Sequence, residues 1–177
     1  NESMLDIYYT FGKVASDDFI KYVLQKYYNK PNASLRTTIN GKPYLKGDKI
    51  HFNLTHSKGL VALAVGKKQV GFDCESLAGK ARPAVLSKFT ERERAEIHST
   101  TDFYAHWTAR ESYVKFLGET LAASWRKIEF VQGKIYFSGK ETGIPVTQFE
   151  TENTVFSICG DYQKYNIRMI DSRGARK

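Results

Sequence analysis

Apolar residues recur at helical spacing near the start of the chain. Ser16-Asp17-Asp18 forms a helix-start signal, and Phe19, Ile20, Val23, Leu24 and Tyr27 follow on one face until Asn29-Lys30-Pro31 ends the pattern. The period then changes to two. Ile50, Phe52 and Leu54 alternate with polar neighbours, Leu60 to Val65 is a continuous apolar run, and Val70, Phe72 and Cys74 alternate again. These segments predict two strands and a hairpin partner. Thr90-Glu91-Arg92-Glu93 matches a capping box, in which the threonine hydroxyl and the Glu93 carboxylate serve each other's free amides. Asp102 is expected to cap a second helix of about four turns, with Phe103, Trp107, Val114 and Leu117 inward and Gly118 as its left-handed end. The segments 128–130, 135–137, 155–158 and 167–170, separated by glycines, predict a run of antiparallel strands.

Helices and strands are segregated rather than strictly alternating, which predicts an α+β fold. Gly79 and Pro83 interrupt the periodicity, so a division into halves is expected near 76–87: an N-terminal α+β half at 4–87 and a C-terminal α+β half at 88–171. Asn1–Ser3 and the basic tail 172–177 are read as added ends, the tail as disordered, and are kept out of the fold argument.

Composition changes this picture little. At 177 residues and 41% hydrophobic content the chain can bury a core without staples. The net charge of +8 favours anionic partners, but it falls to +5 without the three basic residues of 173–177. It therefore does not choose between a phosphorylated cofactor, nucleic acid and an acidic protein. Cys74 and Cys159 lie in apolar strand-like segments, where buried free thiols are expected; this fits a cytoplasmic protein. No apolar run approaches the roughly 20 residues of a membrane-spanning helix, and no membrane partner is expected.

Three places can carry chemistry. Asp73 and Glu75 are two apart in a strand and share a face, where two like charges favour a hard cation such as magnesium; taken alone they could equally be solvent-facing. Glu111 and Lys115 stand one helical turn apart, a spacing that by itself describes a surface ion pair. His56, between Thr55 and Ser57-Lys58-Gly59, lies where a strand gives way to a turn, with donors suited to a phosphate.

The order and spacing of several short motifs are more specific than any one of them. Gly41-Lys42-Pro43, F-N-L-T-H-S at 52–57, V-G-F-D-C-E at 70–75, Phe89-Thr90 with Glu93, and W-T-A-R-E-S-Y-V-K at 107–115 followed by Gly118 resemble the Sfp-type phosphopantetheinyl transferases. The resemblance runs from about Gly41 to Leu121. It implies two similar α+β halves related by a pseudo-two-fold axis, a monomer, and coenzyme A held in the cleft. It further implies transfer of 4'-phosphopantetheine from coenzyme A to a serine of an apo acyl or peptidyl carrier protein, with release of 3',5'-ADP.

On this resemblance Asp73, Glu75 and Glu111 would hold Mg2+, Glu111 would serve as general base and Lys115 would neutralise the departing phosphate. Thr55, His56, Asp73 and Lys115 match cofactor-binding positions, and Gly41, Lys42 and Pro43 match the turn beside adenine. The chain departs from the family pattern at Thr55 for serine, Cys74 for an aliphatic residue, Arg110 for lysine and Thr120 for glycine. Arg110 exchanges a compact ammonium for a planar fork, which suggests a supporting role. Two other classes fit parts of the pattern. A magnesium-dependent nuclease suits the strand carboxylates, but no lysine follows Glu75 on the strand. A non-catalytic nucleic-acid-binding module suits the charge and aromatics and leaves the three acids without a purpose.

Overall fold

The computed structural model describes residues 2–31, 34–79, 83–120, 124–171 and 173. Most of the basic tail, like Leu121 at the end of the motif series, lies outside the described residues. The fold is α+β, with sheets built from segregated strands. The chain divides into two compact units: 1–70 with 162–177, and 71–161.

In the first unit, β1 (Met4–Phe11) leads into α1 (Ser16–Tyr28), followed by the short hairpin β2 (Leu35–Thr37) and β3 (Pro43–Leu45). Then come β4 (His51–Ser57), β5 (Leu60–Gly66) and, from the far end of the chain, β12 (Lys164–Met169). One sheet runs in the order β12-β1-β5-β4. The helical periodicity is realised: Phe19, Ile20, Val23 and Leu24 of α1 are fully buried and pack with Tyr8, Phe52, Val61, Leu63 and Val65 of the sheet. Asn29 ends α1 in the left-handed region, with φ 54°, and its amide donates to Leu24 O. Lys58 and Gly59, both at positive φ, make the two-residue hairpin turn between β4 and β5.

The expected antiparallel run fails at its last member. β12 pairs parallel to β1, with Ile7 opposite Ile167. A parallel pair needs a long connection, and the whole of the second unit supplies it. Tyr162 pins the return: its hydroxyl donates to Lys68 O and accepts from Lys68 N, and a Cβ on Gly66 would collide with its ring.

In the second unit, β6 (Gly71–Ser76) precedes the one-turn helices α2 (Pro83–Leu86) and α3 (Glu91–Arg94) and the long α4 (Thr100–Leu117). A short 3-10 turn (Trp125–Lys127) then leads into β7 (Ile128–Val131), β8 (Lys134–Phe137), β9 (Lys140–Glu141), β10 (Val146–Thr151) and β11 (Thr154–Cys159). The sheets are β10-β11-β6 and β7-β8-β9. The segment at 71–76 is thus the partner of β11, not of the 60–65 run. Alternation specifies a strand's faces but not its neighbour, which explains the difference.

The capping box forms as expected at Thr90 and Glu93. The start of α4 differs: Ser99 is the cap, accepting from Asp102 N, while the Asp102 carboxylate accepts from His98 N. The helix therefore has 18 residues, about five turns. Its buried side is broad, since Ala109, Tyr113 and Val114 pack with Ile128, Phe130, Ile135 and Cys159, while Phe103 and Tyr104 pack with Phe89, Trp125 and Val155.

Candidate active site

The acidic cluster is built on β6 and α4, both in the second unit. Period two places Gly71, Asp73 and Glu75 on one face of β6, and the register sets Asp73 opposite Ser157 and Glu75 opposite Val155. Helix α4 covers this face. The Thr108 hydroxyl donates to Tyr104 O, so at 2.7 Å it accepts from the Ser157 hydroxyl, tying helix to sheet. Gly71 lets the two approach: a Cβ there would lie 1.9 Å from Ser112 O and 2.5 Å from Phe116 N. Close approach brings Lys115 over the strand, where its Nζ donates to Phe72 O at 2.5 Å.

The electrostatics place Asp73, Glu75, Glu111 and Lys115 within one another's influence. Burial pushes the Asp73 carboxyl up to about 8; Lys115 opposes the rise, and Glu111 and Glu75 add to it. Its Oδ2 is closed to solvent. Burial also raises Glu111, with Lys115 opposing and Glu75 adding. Burial lowers Lys115, and Asp73 is the foremost charge holding its proton on. The desolvated carboxyls of Asp73 and Glu111 lie under the influence of Lys115 and of half-buried Glu75, and a hard divalent cation with oxygen preference would relieve that crowding of carboxylates. Among the described residues no three carboxylate, imidazole or thiol groups are already gathered as a ligand cage.

Next to Glu111, Arg110 points elsewhere. It is 1% exposed and donates Nε to Glu93 Oε2 at 2.9 Å and a second N–H to Glu93 Oε1, forming a buried ion pair that sequence reasoning did not see. The partners are 17 residues apart, so no local periodicity announces them. A cavity of about 90 Å³ opens beside the cluster, lined by Glu75, Val85, Phe103, Tyr104 and Trp107. Trp107, expected as a core anchor, lines this cavity and packs on Trp125, ring centres 5.1 Å apart.

The remaining candidates belong to the first unit. Gly41, at φ 86°, and Lys42 form the β2–β3 turn, closed by Gly41 N donating to Thr38 O and Lys42 N to the Thr38 hydroxyl. Pro43 opens β3 opposite Thr37. The Lys42 ammonium donates to Val70 O at 3.2 Å. Burial lowers the His51 imidazole pKa, and Lys42 lowers it further, which makes His51 a neighbour that the motifs did not single out. Thr55 and His56 lie in the last residues of β4, just before the Lys58-Gly59 turn as expected, but on opposite faces: Thr55 is buried opposite Ala62, whereas His56 is exposed opposite Val61.

An α+β chain carrying strand acids beneath a helix with a glutamate and a lysine can be compared with known proteins. Residues 69–165 match the model of the 4'-phosphopantetheinyl transferase superfamily, and the chain belongs to that superfamily. Among its relatives, the 4'-phosphopantetheinyl transferase gsp of Aneurinibacillus migulanus is 31% identical over 144 residues, covering 75% of this chain and 59% of the relative. The 4'-phosphopantetheinyl transferase HetI of Nostoc sp. is 35% identical over 96 residues, 46% of this chain and 40% of its own. The mouse L-aminoadipate-semialdehyde dehydrogenase-phosphopantetheinyl transferase is 30% identical over 117 residues, 54% and 38%. The chain thus spans between 38% and 59% of the length of these relatives. No helix among the described residues is long and apolar enough to cross a membrane.

Proposed function

We propose that this chain is a cytoplasmic, monomeric holo-[acyl-carrier-protein] synthase. It transfers 4'-phosphopantetheine from coenzyme A to a serine of an apo acyl or peptidyl carrier protein and releases 3',5'-ADP. The observation that supports the reading is the electrostatic influence that Glu75, Glu111 and Lys115 exert on the desolvated Asp73 carboxyl, on a chain whose relatives bear the names of such transferases.

Asp73, Glu75 and Glu111 would hold Mg2+, which, when bound, neutralises charge on the diphosphate undergoing attack. The serine oxygen forms a bond to the phosphorus bearing pantetheine, and the bond from that phosphorus to the adenosine-side phosphate oxygen breaks. Glu111 takes the serine proton, a role aided by its raised pKa. Lys115, whose proton is loosened by burial, faces the charge that develops on the leaving phosphate. The cavity beside Glu75 offers apolar walls for part of the pantetheine arm. Gly41, Lys42 and Pro43 are proposed to contact the nucleotide end of coenzyme A together with one of Thr55 and His56, which β4 presents on opposite faces. Two similar halves with boundaries at 4–87 and 88–171 remain part of the same proposal. The test is mass spectrometry of several apo carrier proteins incubated with the chain, coenzyme A and Mg2+. A gain of about 340 Da on one carrier serine supports the reading, and unmodified carriers throughout would refute it.

A further inference from the structure

We infer that Arg110 and Glu93 are positioning residues: their buried ion pair sets the rotation of α4 and thereby aims Glu111 and Lys115, without contact to substrate. Glu93 is 0% exposed and accepts from Thr90 N at 3.0 Å and Phe130 N at 3.2 Å in addition to Arg110. The remaining end of the guanidinium donates to Trp125 O at 2.7 Å, and its carbon lies 4.2 Å from the Trp125 ring centre and 5.1 Å from that of Phe89. The fork is therefore engaged with α3, the 3-10 turn and, through Glu93, β7. Successive helical side chains differ by about 100° in direction, so fixing residue 110 fixes 111, and 115 follows one turn later. A lysine ammonium cannot span both carboxylate oxygens and the Trp125 carbonyl from one rigid plane.

Stability alone does not account for such a pair, because apolar residues of similar volume commonly replace a buried ion pair without loss. That fact supplies the test. Arg110→Lys and the double substitution Glu93→Met with Arg110→Met are compared with wild type by thermal melting, steady-state transfer and crystal structure. The activity arm rests on the transferase reading; the crystallographic arm does not. For the double variant we expect a cooperative melt, its temperature lowered by the partners lost to Thr90 N, Phe130 N and Trp125 O. In both variants kcat should fall about 10- to 100-fold with the KM for coenzyme A within about threefold, and the Glu111 carboxylate should shift by about 1 Å or more.

Wild-type kcat with an unmoved Glu111 in the double variant overturns the inference. So does an unchanged kcat with a raised KM in Arg110→Lys, which would make Arg110 a substrate contact. If the double variant does not fold, Arg110→Lys decides by the same two readings. If wild type modifies no carrier, the transferase reading fails, and the position of Glu111 in the variant crystals still decides this one.

Discussion

The two units carry charge in opposite ways. By sequence the first holds 16 Lys and Arg against 6 Asp and Glu, and the second 11 against 13. The basic excess of the whole chain therefore belongs to the first unit, while the strongly perturbed carboxylates belong to the second. Net charge describes what a surface attracts; burial decides where protons and cations become expensive to arrange. The first unit's candidate residues are spread along a turn and the two faces of β4, whereas the second unit's are drawn together beneath one helix.

The contrast is most directly broken at the acids. Glu111→Gln is expected to lower transfer by about 10²- to 10⁴-fold while circular dichroism stays unchanged; transfer near wild type would remove the second unit's claim to the chemistry. Gly71→Ala should follow in severity. A methyl against the Ser112 carbonyl has no rotamer to escape into, so the cost is about 3 kcal/mol, read as a lower melting temperature. An unaltered melt would show that β6 and α4 do not meet this closely.

The third test is pH dependence in chelator. The folded Asp73 carboxyl holds its proton up to about 8, against about 4 for an unfolded aspartate. Its contribution to stability is fully present below pH 4 and is lost as pH rises through 8. The melting temperature without divalent cation should therefore decline over that window, and Asp73→Asn should flatten the decline. The smallest effect is expected in the first unit. Because Thr55 and His56 face opposite ways, one ligand should reward only one of them. Alanine at one position should raise the KM for coenzyme A about tenfold, and alanine at the other should leave it unchanged. Equal losses at both would show that β4 does not present them as described.

How much of this was legible in sequence varied with the range of the interaction. Local periodicity foretold α1 and its end at Asn29, the capping box at Thr90 and the shared face of Asp73 and Glu75. It misjudged the start of α4, since Ser99 and Asp102 both suit a cap and only the His98 amide chooses between their roles. Partner choice was harder still. Nothing in the pattern of 167–170 distinguishes a parallel from an antiparallel neighbour, and nothing near Glu93 points to Arg110. The motif series brought Glu111 to the acids only through resemblance, because its own spacing to Lys115 describes an ordinary surface pair.

The parallel pairing of β12 with β1 also orders events during synthesis. Residues 71–161 have all left the ribosome before Lys164 emerges, so the second unit can complete its sheets while β1 still waits with one edge open. Until the final strand arrives, that edge is free to pair with any extended segment nearby. For this chain, then, β1 is among the last of its strands to be protected, and it is most vulnerable to mispairing just before β12 emerges.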